Sequence, residues 1–237
     1  MQYDPQRLVA DLATAERFGQ YFDHYNAYEG ESHGGWKLIP LISRGGRIDP
    51  QSSLDYGRYV KQAAAGVDRK PPPFEKTEIL KQCPYFEEIL DSLQCEKRRV
   101  RLLRLEPGAR VRRHYDPGES WAGGRPRLHV PIVTHEDIYF YVDGQRVVMK
   151  PGEVWYCDFS RWHWVENRSP ITRVHFMFEL VVNDWLRQLF PRESRTERAR
   201  NWIYHTGLQA QWKVAAGARR IQQGLESVRR PSAPPGS

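Results

Sequence analysis

Between about residue 100 and residue 180 the chain falls into a rhythm of two. Val100, Leu102, Leu103 and Leu105 precede the turn text Glu106-Pro107-Gly108, and IYFYVDGQRVVMKPGEVWYCDF sets β-branched and aromatic runs on both sides of Asp143-Gly144. Side chains of an extended strand alternate between faces, and an Asp-Gly pair supplies the two positive φ angles of a tight hairpin. Several short strands separated by Pro-Gly and Asp-Gly turns predict an antiparallel, mainly β unit, a barrel or a jelly roll. Ahead of it, Pro5 and the spacing of Leu8, Leu12, Phe18 and Phe22 predict one helix over residues 5–27. Trp36, Leu38, Ile39, Leu41 and Ile42 read as a buried strand, and Phe86, Ile89, Leu90 and Leu93 as a short helix after the triple proline 71–73.

The 237 residues are 40% apolar, enough for one substantial core and too much for a disordered chain. No run of about 18 apolar residues occurs, and the first residues have neither a basic nor an apolar leader segment, so a soluble cytoplasmic protein is expected. Cys83, Cys95 and Cys157 show no CxxC spacing and suggest neither disulfides nor a cysteine zinc site. The formal charge of +7 lies entirely after residue 186, where ten Lys+Arg face three Asp+Glu. Residues 1–186 thus read as the β domain with N-terminal helices. Residues 187–230 read as a basic helical extension, with Leu208, Trp212, Ile221, Leu225 and Val228 at amphipathic spacing, and 231–237 as a disordered tail.

The chemistry sits in the β region. His114 and Asp116 are two residues apart in RRHYDPGE, so on a strand both face one side, and His163 follows 47 residues after Asp116 in DFSRWHWVEN. Two histidines and one carboxylate form the facial triad that holds non-haem Fe(II) with positions left open. HxD alone is a weak signal, a surface histidine beside its neighbour being the ordinary explanation. Arg173, ten residues beyond His163 on the next predicted strand, adds a guanidinium able to clamp a carboxylate.

The segment from Arg104 to Trp185 resembles the aspartyl/asparaginyl β-hydroxylase family of Fe(II)/2-oxoglutarate-dependent dioxygenases, which includes bacterial free-proline hydroxylases. The matching text, in family order, is RRHYD, RPRLHVPIVT, KPGEVWYCDF, RWHWVENRS and RVHFMFE, with GGWKLIPL and CPYFEEIL before it. The resemblance implies a double-stranded β-helix (jelly roll, cupin-like) with His114, Asp116 and His163 as iron ligands. It implies Arg173 on the distal carboxylate of 2-oxoglutarate, and Arg127 and His129 lining the cosubstrate pocket. The implied reaction uses O2, decarboxylates 2-oxoglutarate to succinate, and hydroxylates an unactivated C–H. Asp116 favours hydroxylation over halogenation, because related halogenases lack the carboxylate. Glu179 departs from the aspartate of many members, and nothing after Trp185 matches.

For the individual residues the ordinary readings stand beside the functional ones. His129 reads equally as a satisfied core histidine, Arg127 as a structural ion pair, and Trp155, Trp162 and Trp164 as core rather than a substrate cage. His175 shares the inward face of its strand with Arg173. The expected substrate is an amino acid or amino-acid-derived small molecule. The alternatives are a peptide-, protein- or carrier-bound residue, or a non-catalytic cupin-like binding module. No membrane partner is expected, and arginines without an aromatic platform argue against nucleic acid. The basic extension is read as a helical face packed on the barrel, a lid, or a docking surface for an acidic partner.

Overall fold

The computed structural model describes residues 1–23, 35–49, 51–53, 72–116 and 118–189, with positions 199, 203, 206 and 207 beyond them. The chain divides into two compact units, 1–192 and 193–237, and the architecture below is that of the first. The helix expected between Leu208 and Val228 and the expected disordered tail lie outside the described residues.

Helix α1 (Pro5–Phe18) starts where Asp4 accepts hydrogen bonds from the amides of Gln6 (2.8 Å) and Arg7 (3.3 Å), with Pro5 in its first turn. It ends at Phe18 rather than running to residue 27. Gly19 is extended (φ −118, ψ 163) and donates its amide to Ala15, and a Cβ there would stand 2.7 Å from Ile79 Cδ1. The apolar spacing therefore breaks: Phe18 is 55% exposed, and Phe22 joins a short strand, β1 (Phe22–Asp23). Residues 24–27 of that expected helix lie outside the described residues.

Two antiparallel sheets follow. The seven-stranded sheet runs in the order β1, β2 (Trp36–Arg44), β4 (Lys97–Leu105), β11 (Arg173–Leu180), β6 (Arg127–Val133), β9 (Trp155–Tyr156), with β3 (Phe74–Lys76) paired to β2. The four-stranded sheet runs β5 (Arg110–His114), β10 (His163–Asn167), β7 (Ile138–Val142), β8 (Gln145–Arg146). Asp143 and Gly144, with φ of +51 and +78, make the turn between β7 and β8, the mirror-image geometry that suits the right-handed twist of paired strands. This is a mainly β, double-stranded β-helix (cupin-like jelly roll) with an N-terminal helix.

One face of the large sheet is apolar and is covered by helices. Leu8, Leu12 and Ala15 of α1, and Phe86, Ile89 and Leu90 of α2 (Pro84–Ser92), pack with Ile39, Leu41, Leu102, Val130, Phe176 and Phe178. The buried Asp11 carboxylate accepts the amides of Tyr85 and Phe86, both at 2.8 Å, and so caps α2 from α1. A second cluster, including Val111, Phe140, Phe159 and Val165, fills the inner side of the small sheet. The short helix α3 (Asp184–Leu189) ends the described run.

Gly152 ties the N-terminus to this frame: its carbonyl accepts the Tyr3 amide (2.8 Å), and its own amide donates to Pro131 (2.9 Å). Its φ is +80, and an added Cβ would lie 2.3 Å from the Tyr3 carbonyl oxygen. Gly152→Ala is expected to destabilise the fold by at least about 1–2 kcal/mol, the cost of left-handed backbone alone. An unchanged denaturant midpoint would contradict that close approach.

Candidate active site

Strands β5 and β10 pair so that His163 lies opposite His114, with a register shift between His163 and Val165. Paired residues share a face, and a bulge beside them re-aims side chains. The two imidazole centroids are 4.2 Å apart. Asp116 follows immediately, its amide donating to the Phe159 carbonyl at 2.9 Å. The donor atoms of His114, Asp116 and His163 all lie within 4.8 Å of one another.

The protonation of this triplet follows from its partners. His114 Nδ1 lies 2.7 Å from the Arg112 carbonyl, and His163 Nδ1 lies 2.9 Å from the Arg161 carbonyl. A carbonyl only accepts, so each Nδ1 carries the proton, and each Nε2 keeps a lone pair. Burial, reinforced by His114, pushes the His163 pKa down to about 4, so its ring is neutral near pH 7. Burial would raise the Asp116 carboxyl, but Arg127 and the two histidines outweigh it and hold the group well below its ordinary range. Two imidazoles and one carboxylate are a donor set for a divalent transition metal.

Arg127 is the next layer outward. It donates through Nη1 to Asp116 (2.8 Å) and through Nη2 pairs with Glu119. Glu119 in turn pairs with Arg99, and Arg99 with Glu179, which also has Arg125 at 4.0 Å. The Arg99, Glu119 and Glu179 side chains are 7%, 7% and 2% exposed, so a buried ladder of alternating charge ends on Asp116. Arg99 reaches it from a bulge in β4 with φ +41, which turns its side chain inward. Glu119→Gln, which weakens the hold on Arg127 without opening a cavity, is expected to lower metal affinity about tenfold; titration of wild type and variant checks it.

A second polar cluster lies on the inner face of β6 and β11. Arg173 Nη2 donates to His175 Nδ1 at 2.9 Å, and His129 Nδ1 is 3.3 Å from the same atom. Arginine only donates, so the His175 proton sits on Nε2. Arg173 Nε, His175 Nε2 and His129 Nε2 are buried without hydrogen-bond partners, and among the described residues no carboxylate pairs with Arg173. Burial pushes the Arg173 pKa down to about 9, and holds both histidines well below their ordinary value. Buried donors without acceptors mark a place for an anionic ligand. Phe159 lies between the clusters, its ring 5.0 Å from His129 and 4.9 Å from His163. An open cleft of about 250 Å³, lined by Phe140, Met149, Arg173 and His175 among others, reaches the second cluster from the β7 side.

The structure thus brings His114, Asp116 and His163 together, with Arg127 touching Asp116, and groups Arg173, His129 and His175 beyond Phe159. Trp162, read from sequence as core, is 40% exposed. Glu119, Arg99 and Arg101 were missed by sequence reasoning. Arg101, 4% exposed on β4, has the inward-facing Met177 as its cross-strand partner, next to His129.

Similar solved structures include a 2OG-Fe(II) oxygenase family oxidoreductase from Burkholderia pseudomallei (11% identity, 76% of this chain and 80% of that chain, TM-score 0.43). Another is a cupin domain from Bordetella pertussis Tohama I (18% identity, 38% and 88%, TM-score 0.30). No curated protein matches the chain. The family model for aspartyl/asparaginyl beta-hydroxylase matches residues 4–182, and the chain belongs to that family.

Proposed function

We propose that His114, Asp116 and His163 hold Fe(II), that Arg173 binds the distal carboxylate of 2-oxoglutarate, and that the chain hydroxylates an unactivated C–H of an amino acid or amino-acid-derived small molecule. The observation that carries the reading is the pairing of two histidines whose Nε2 lone pairs are freed by backbone tethers with a buried arginine whose Nε lacks a partner. Iron, cosubstrate and O2 together supply the oxidising chemistry, converting 2-oxoglutarate to succinate and CO2 while one oxygen atom enters the substrate.

The chain's own residues orient and neutralise. Asp116, kept ionised by Arg127, supplies one negative charge to a dication, and the neutral imidazoles add none. Arg173 Nε and His175 Nε2 offer two buried N–H donors to a carboxylate at the inner end of the cleft, where such bonds are strong. Arg127 and His129 line the space between the two clusters, with the Arg127 guanidinium 5.2 Å above the Phe159 ring. A cytoplasmic setting fits three free cysteines. Among the described residues no helix is long and apolar enough to cross a membrane.

Anaerobic addition of Fe(II) and 2-oxoglutarate is expected to give the visible charge-transfer band of a keto acid chelated to ferrous iron in the wild type, and none in His163→Ala. Arg173→Ala is expected to weaken 2-oxoglutarate about a hundredfold in the same titration, the scale of a lost buried, charged hydrogen bond. A folded wild-type protein without the band would favour a ligand-binding barrel instead.

A further inference from the structure

The outer face of the four-stranded sheet carries an array that the proposed reaction does not use. Across β8, β7, β10 and β5, Arg146 stands opposite Tyr141, Tyr141 opposite Trp164, Tyr139 opposite Glu166, and Glu166 opposite Arg110. Paired residues share a face, and the alternate positions Val111, Phe140 and Val165 are the buried ones, so this row faces outward. Arg112 and Arg113 lie exposed at the bulge beside Trp164.

The rings fix the arginines. Arg146 and Arg168 lie over Tyr139 at 4.5 and 4.6 Å, and Arg113 lies over Trp162 at 4.8 Å. A guanidinium pinned by its face keeps its N–H edge for planar anions. Four exposed arginines on the strands (110, 112, 113 and 146) face one strand carboxylate, Glu166, which is bonded at 2.8 Å to Arg168 just past β10. Other carboxylates, Glu136, Asp137 and Asp143, belong to the flanking loops. Residues 1–186 as a whole carry no net charge, so positive charge is concentrated here. Tyr139 is taken by two guanidiniums, and Tyr141 and Trp164 stack on each other (4.6 Å, 9°), which leaves no open platform for nucleobases. The array also borders the site: Arg113 precedes His114 and Trp164 follows His163.

We propose that this face docks an acidic protein, an interaction surface separate from the small-molecule chemistry proposed for the site. Charge complementarity selects carboxylate-rich protein surface as the partner and sets the rate of encounter.

Fluorescein-labelled poly-L-glutamate is the probe, followed by anisotropy with the full chain at low and high salt. Saturable binding that weakens with salt is expected, as is a loss of about tenfold or more on Arg110→Glu/Arg146→Glu/Arg168→Glu. Equal reversal of Arg219, Arg220 and Arg229 should leave binding unchanged. Should the triple variant fail to fold, Arg110→Glu, exposed and away from the metal triplet, serves in its place with a smaller loss. Loss of binding in the tail variant instead of the face variant would overturn the proposal. So would tighter binding, through the same arginines, of oligo-dT or of phosphatidylserine vesicles. The charge-transfer band separates the two readings: a band without poly-glutamate binding defeats the docking face alone. Poly-glutamate binding without a band defeats the hydroxylase reading and leaves the docking face standing.

Discussion

Asp116→Ala loses iron-dependent succinate formation by more than about a hundredfold. Groups that merely orient a metal ligand are worth about 10–100-fold, and Asp116 is the only carboxylate among the three atoms gathered within 4.8 Å. Two neutral imidazoles would be left to hold a dication, with the Arg127 guanidinium, 2.8 Å from the former carboxylate, now repelling it. The measurement is a paired one: succinate yield, and Fe(II) affinity by titration, with a thermal melt to show that the variant is folded. Full turnover in a folded Asp116→Ala protein would show that the metal is held elsewhere.

Arg99→Met destabilises the fold by about 3–5 kcal/mol, because it removes the guanidinium that two buried carboxylates share, leaving Glu179 with only Arg125 at 4.0 Å and Glu119 with only Arg127. For a domain of this size that corresponds to a melting temperature lower by about 10 °C. Burial would raise the Glu179 carboxyl, yet Arg99 followed by Arg125 holds it below its ordinary value. The ladder therefore contributes fully above the ordinary carboxylate range, and its contribution fades as the pH falls through and below that range. Removing the stranded charge in Arg99→Met/Glu179→Gln should recover part of the loss. A single variant melting within a degree or so of wild type would mean that water reaches these groups.

The sequence made the metal triplet legible because it rides on strand periodicity. His114 and Asp116 are spaced by two, and His163 begins the strand that pairs with β5. The Asp143-Gly144 turn was legible for the same reason, since few residue pairs accept two positive φ angles. The helix boundary was not, because Phe18 and Phe22 imitate helical spacing across an extended glycine at which Ile79, sixty residues on, leaves no room for a Cβ. Nor was the charge ladder. KRRVRLLRL looks like a strand with its arginines in water, yet a bulge turns Arg99 inward and its partners come from a turn at Glu119 and from the far end of β11. Such partners are set by tertiary contact, which no local period encodes. The basic face escaped notice because its arginines belong to three separate segments and meet only when β5, β10, β7 and β8 pair.

Each histidine of the triplet is anchored to the carbonyl of the residue two positions before it, Arg112 for His114 and Arg161 for His163. The hydrogen bond that orients each ring thus comes from main chain that every amino acid shares. Lineages descended from such a barrel can exchange the residues around the mouth, and so change what is bound, while inheriting the geometry of the two rings intact. The same tethers make the triplet transferable: grafting residues 110–116 and 161–167, bulge included, would carry both carbonyl tethers with it.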